Sequence, residues 1–180
     1  RRNKVLPEVL SQSEALSLVN YPDNSKHKAI LNLMYSTGIR RGELISLKVS
    51  DIDTPRMLIN VRQGKGKKDR QVILHPRVLE LLRKYYNRYR PKNYLFEGQG
   101  KNQQYSASSI VKIVKTNAKK VGITKAISAH TLRHCFATHM LEKGANLKVI
   151  QQLMGHSSLK TTSIYLSLAN IENSSLPNPL

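Results

Sequence analysis

The sequence predicts an α+β domain, mainly α-helical, with one small antiparallel β-sheet. Three observations predict it. The chain has 180 residues, 39% of them hydrophobic, with only 7 Pro and 9 Gly, which suits one globular domain with a real core. Capping residues and terminating glycines bracket segment after segment at helical length. Only one pair of segments carries the alternating, β-branched pattern of a hairpin. No internal repeat is apparent.

Residues 1–10 (RRNKVLPEVL) are basic, contain a proline and read as the remnant of an interdomain linker. Ser11-Gln12-Ser13-Glu14 is a capping box, opening a helix to about residue 19. A helix over 26–36 ends at Gly38, and a short one follows over 41–47. Residues 56–62 (RMLINVR) and 70–75 (RQVILH) flank a Gly-Lys-Gly-Lys-Lys-Asp turn and predict the hairpin. Pro76 starts a helix whose apolar stripe is Val78, Leu79, Leu81, Leu82 and Tyr85. A helix over 108–120 stops at Gly122. Ser128 caps one that runs to Lys143 and stops at Gly144, and Asn146 caps one that stops at Gly155. Ser158 caps the last, which carries Tyr165. The domain spans 11–169, and residues 170–180 form a polar tail.

Thirty Lys and Arg against 11 Asp and Glu leave a net charge of +19, which implies a polyanionic partner, nucleic acid by default. A membrane is excluded on this reading: no apolar run approaches the roughly 20 residues of a span. No leader pattern precedes the domain, so a cytoplasmic location is expected. One cysteine, Cys135, excludes an internal disulfide and a cysteine-based metal knot. A chain that begins with Arg1 suggests a fragment of something longer.

The residue set fits attack on a phosphodiester without a metal ion or other cofactor. Guanidinium forks match the non-bridging oxygens of such a transition state. Arg40 projects from the turn after Gly38, and Arg133 shares a helix face with His130. Either arginine alone reads as one more surface cation. Lys65 at the hairpin tip could protonate a leaving alkoxide, while Lys67, Lys68 and Arg70 suit phosphate contact. His130 and His134 have zinc-helix spacing, but no acidic residue sits between them as in HExxH. His134 and His139 read as satisfied helix histidines. Tyr165, nine positions after His156, is the candidate nucleophile. Only about one free tyrosine in a thousand is ionised at pH 7, so it needs a base or a strong positive potential. Thr161 and Thr162 suit phosphate binding or simply complete a helical turn.

In order and spacing, TGIRRGEL, GKGKKDR, HTLRH and LMGHSSLKTTSIY resemble four motifs of the tyrosine site-specific recombinases, the lambda-integrase and Xer-type family. The resemblance covers nearly the whole chain. It implies DNA cleavage by tyrosine attack, giving a 3′-phosphotyrosyl bond and a free 5′-hydroxyl that a second strand reverses. It implies that Arg40 and Arg133 clamp the scissile phosphate and that Lys65 is the general acid. It also implies that His130 assists proton transfer at Tyr165, that His156 hydrogen-bonds a non-bridging oxygen, and that Glu43 supports the site. Cys135 stands where a threonine is common, a tolerable change. The family's N-terminal core-binding domain is missing from these 180 residues. The resemblance further implies a homo-tetramer on double-stranded DNA, with this fragment monomeric in solution. Type IB topoisomerases share the chemistry and remain an alternative. A non-catalytic basic DNA-binding module explains the charge but not the ordered set of catalytic residue types.

Overall fold

In the computed structural model, residues 7–62, 69–100 and 102–169 are described. The hairpin tip with Lys65, Lys67 and Lys68 and the tail over 170–180 lie outside them. The fold is organised around α2 (Ser25–Thr37), which buries Ala29, Ile30, Leu31, Leu33 and Met34. It packs against α1 (Gln12–Asn20), α4 (Pro76–Tyr89) and α6 (Ala129–Glu142). Asn32, a buried polar residue on α2, is satisfied: its Nδ2 donates to Val19 O at 2.7 Å, tying α2 to the end of α1.

The N-caps predicted at Ser11, Ser128, Asn146 and Ser158 are present, and the structure adds Asn24 and Ser106. Ser11 and Glu14 form the reciprocal box that starts α1. Asn24 caps α2, and Gly38 ends it at φ 61°. Gly38 does more than terminate a helix. A Cβ there would overlap the ring of Phe136 on α6, so glycine lets the α2 end lie directly on α6. The chain then turns into α3 (Arg41–Ser46). Ser106 caps α5 (Ala107–Lys120), Ser128 caps α6, and Asn146 and Gly155 bracket α7 (Leu147–Met154).

The sheet has three antiparallel strands in the order β1 (Ile52–Asp53), β2 (Leu58–Val61), β3 (Arg70–Ile73). The register pairs Ile52 with Ile59, Ile59 with Val72, and Val61 with Arg70. The hairpin is as expected, but β1 was not anticipated, since two residues carry no periodicity. The strand expected to reach residue 75 ends at Ile73, because His75 serves as the cap of α4, accepting from the Arg77 N–H. At the base of the hairpin, Arg62 Nε donates to buried Asp51 at 2.9 Å.

The last predicted helix is shorter than expected. α8 (Leu159–Thr162) gives way to a 3₁₀ turn over Ser163–Ser167, which carries Tyr165. Thr161, Thr162 and Ile164 are β-branched and lower the helical preference here. Burial settles it: Tyr165, only 2% exposed, packs in a small second core with Phe136, Ala137, Leu141, Ile150 and Met154. Cys135 is buried in the main core and accepts a hydrogen bond from Leu10 N–H at 3.3 Å.

Candidate active site

The C-terminal end of α7 is where the site is assembled. The last carbonyls of any helix lack partners within it. Here three consecutive ones are each met by a different arginine. Arg70 Nε donates to Leu153 O at 2.7 Å, Arg133 Nη2 to Met154 O at 2.7 Å, and Arg40 Nη2 to Gly155 O at 3.2 Å. The cations also complement the negative end of the helix dipole. They arrive from β3, α6 and the turn after α2, so the fold converges on this point.

Glu43, at the third position of α3, organises two of these arginines. It accepts from the Arg40 backbone N–H and from Arg40 Nη1, both at 2.9 Å. Arg70 grips it bidentately at 2.9 and 2.8 Å. Burial alone would raise the Glu43 carboxyl, but the bonds from Arg70 and Arg40 outweigh it and hold it at about 2. Arg70, expected to contact DNA, has its side chain 8% exposed and all three guanidinium nitrogens engaged within the protein.

Arg133 is 5% exposed, not a surface cation. Nη1 donates to Gly38 O, and Nη2 donates to His156 Nε2 at 2.9 Å as well as to Met154 O. Burial and neighbouring Arg40 bring it down to about 10, still charged at neutral pH. Arg40 keeps its side chain 32% exposed, so one guanidinium of the pair is open to solvent.

Because a guanidinium can only donate, His156 Nε2 must be an acceptor, which puts its proton on Nδ1. Nδ1 lies 2.9 Å from Thr162 Oγ1. Burial, then Arg133, Arg40 and Arg70, push His156 down to about 4, so it is neutral. Thr162, expected to suit phosphate binding, is fully buried and engaged in this contact. Thr161 is exposed.

The Tyr165 ring lies between two imidazoles. His156 stacks on it at 6.5 Å with 10° between planes, and His134 sits at 5.7 Å. His134 Nδ1 is 3.0 Å from the Tyr165 hydroxyl. Burial raises the phenol, and Arg133 and Arg40 oppose that rise. The histidine expected at this hydroxyl was His130. His130 instead is exposed, with its ring 6.5 Å from that of His134. His134 was read as structural, and the signal for it was present: i,i+4 spacing from His130 puts both on one face. His139 is satisfied as expected, between Tyr35 Oη at 2.8 Å and Leu10 O at 2.9 Å. Among the described residues no group of three or more His, Cys, Asp or Glu could hold a metal ion. No helix among them is long and apolar enough to cross a membrane.

A helical domain that gathers arginines, histidines and a buried tyrosine at one helix end defines a class. The chain belongs to the phage integrase family, which matches residues 8–171. It is 42% identical over 176 residues to the tyrosine recombinase XerC of Thermodesulfovibrio yellowstonii, covering 90% of this chain and 58% of that protein. It is 38% identical over 175 residues to a tyrosine recombinase of Thermosipho africanus, covering 96% of this chain and 61% of the relative. The chain thus spans less than two thirds of these relatives' length. The crystal structure of XerA recombinase superposes with a TM-score of 0.84 at 36% identity, over 97% of this chain and 62% of that one. The XerH recombinase bound to palindromic difH substrate in a post-cleavage complex gives 0.82 at 25% identity, over 92% and 51%. These relatives are recombinases, which does not favour the topoisomerase alternative.

Proposed function

We propose that residues 11–169 are the catalytic domain of a site-specific recombinase that cleaves and rejoins double-stranded DNA through Tyr165. The observation that carries this reading is the link from Arg133 through His156 to Tyr165: a buried guanidinium hydrogen-bonded to an imidazole whose ring lies parallel to the phenol's at 6.5 Å. Family membership and a net charge of +19 support DNA as the substrate. The Tyr165 oxygen attacks the scissile phosphorus, the P–O5′ bond breaks, and a 3′-phosphotyrosyl bond remains. Arg40 and Arg133 neutralise the non-bridging oxygens. Lys65 gives the leaving 5′ oxygen its proton, and a second strand's 5′-hydroxyl reverses the step. His156 hydrogen-bonds a phosphate oxygen only once Nε2 has left Arg133 and taken up a proton. Lys67, Lys68 and Thr161 contact the DNA backbone, and His130 stands beside His134 at the edge of the site. One tyrosine per chain cuts one strand, so exchange between two duplexes uses four protomers on DNA. The isolated domain is a monomer that binds duplex weakly with steep salt dependence.

The test is a nicked suicide duplex, from which the cleaved end diffuses away. An SDS-resistant adduct at the 3′ phosphate is expected, formed equally well in EDTA and abolished in Tyr165→Phe with binding intact. An adduct at wild-type level in Tyr165→Phe, or one that requires added Mg²⁺, contradicts the reading.

A further inference from the structure

We propose that His134 is a catalytic residue, the base that takes the Tyr165 hydroxyl proton during cleavage and returns it during rejoining. This rests on the reading of Tyr165 as nucleophile. The expected partner of the phenol, His130, does not touch it; His134 Nδ1 does, at 3.0 Å. Both partners are fixed before any substrate arrives. Tyr165 is 2% exposed and packed into the second core. His134 is set by the α6 backbone, with His130 edge-on at 6.5 Å and Arg133 as its immediate neighbour in sequence.

His134 is in the form that can accept a proton, although both shifts oppose the transfer until substrate is present. His134 is pushed down to about 4 by burial, then by His130 and Arg133, so its ring is neutral and can accept. The phenol is raised by burial and does not ionise unaided. The groups facing the pair are cationic or neutral: Arg133, Arg40, His130 and His156. In that setting a cationic His134 is disfavoured until a phosphodiester brings negative charge to Arg40 and Arg133. Proton transfer is thereby coupled to substrate arrival. The balance is simple: the Tyr165 O–H bond breaks, Nδ1–H forms, the phenolate oxygen bonds to phosphorus, and the 5′ oxygen leaves with the proton from Lys65. Rejoining runs each step backward.

His134→Asn and His134→Ala test this on the suicide duplex. Asn places an oxygen near the Nδ1 position, keeping an acceptor for Tyr165 without a base. General-base loss of about 10²-fold in adduct rate is expected for both variants, with duplex affinity unchanged. The deficit should shrink as pH rises toward the phenol's own ionisation, and imidazole should partly restore His134→Ala. Wild-type rates in His134→Asn would mean the contact only positions the ring, and would overturn the proposal. A pH-independent deficit without imidazole rescue would overturn it as well. Ring ¹⁵N shifts of the wild type provide a readout apart from activity: a protonated Nδ1 at neutral pH sinks the role of His134. A wild type that forms no adduct at all sinks the nucleophile assignment instead.

Discussion

Arg70 holds Glu43 through both terminal guanidinium nitrogens, at 2.9 and 2.8 Å, while its Nε reaches over to Leu153 O. This one side chain joins the hairpin strand β3 to α3 and to the end of α7. Its position at the root of the hairpin ties the segment that carries Lys65 to the carboxylate that also orients Arg40.

Removing it should therefore act on the site from inside rather than on DNA. Arg70→Ala leaves a buried carboxylate short of its strongest partner, a change that typically destabilises by about 3–5 kcal/mol. Arg70→Lys should recover only part, because an ammonium cannot reproduce the fork. The log–log salt slope of duplex binding should stay at its wild-type value, whereas a lost phosphate contact lowers it by about 1. Thermal melts with salt titrations check both.

Arg133→Ala and Arg40→Ala should separate rate from affinity. Each is expected to lower the adduct rate by about 10²–10³-fold, the usual effect of losing one transition-state donor. Duplex affinity should change little. Arg133→Ala should also lower the melting temperature more than Arg40→Ala, since it unpartners Gly38 O, Met154 O and His156 in a buried setting. Equal losses in binding and rate would mark both as positioning contacts to DNA.

Acid should destabilise the fold over a defined window. His134 and His156 are each held at about 4, against about 6.5 in an unfolded chain. Between those values the unfolded chain binds more protons than the folded one, so stability rises with pH there. The contribution is complete above about 6.5 and lost as pH falls through 4. Glu43, held at about 2, acts in a separate and lower window, its contribution disappearing as pH drops below the ordinary carboxylate value. Melting temperatures from pH 7.5 to 4 should fall, and the slope should flatten in His134→Asn/His156→Asn. An unchanged slope in that variant would place the titration elsewhere.

Lys65 can be tested without knowing where its side chain lies. If it protonates the leaving 5′ oxygen, Lys65→Ala should be slow on ordinary DNA and recover on a 5′-bridging phosphorothiolate, whose sulfur leaves without a proton. A deficit of equal size on both substrates would make the lysine a backbone contact.

Much of this was legible in the chain because it is local. The Ser11–Glu14 box, the Asn146 cap and the Gly38 and Gly155 stops are each written within four residues, and all are present. The motifs carrying Arg40, Arg133, His156 and Tyr165 were legible too, by their order. What escaped depends on distant packing. The burial of Arg70 is set by Glu43 and Leu153, 27 and 83 positions away. Which of two same-face histidines meets Tyr165 depends on how the 3₁₀ turn lies on α6. Thr162 is the exception: its partner His156 is only six positions away, across the break between α7 and α8.

The row of carbonyls at 153, 154 and 155 gives the site a genetic signature as well. Since Arg70, Arg133 and Arg40 brace one short stretch of backbone, losing any one loosens the seat of the other two. Paired alanine substitutions among them should do less harm than the product of the single defects, as expected for residues that act as a unit. A lineage that has lost one of these arginines would feel weaker selection to keep the remaining two, so decayed copies of such a gene should shed them together.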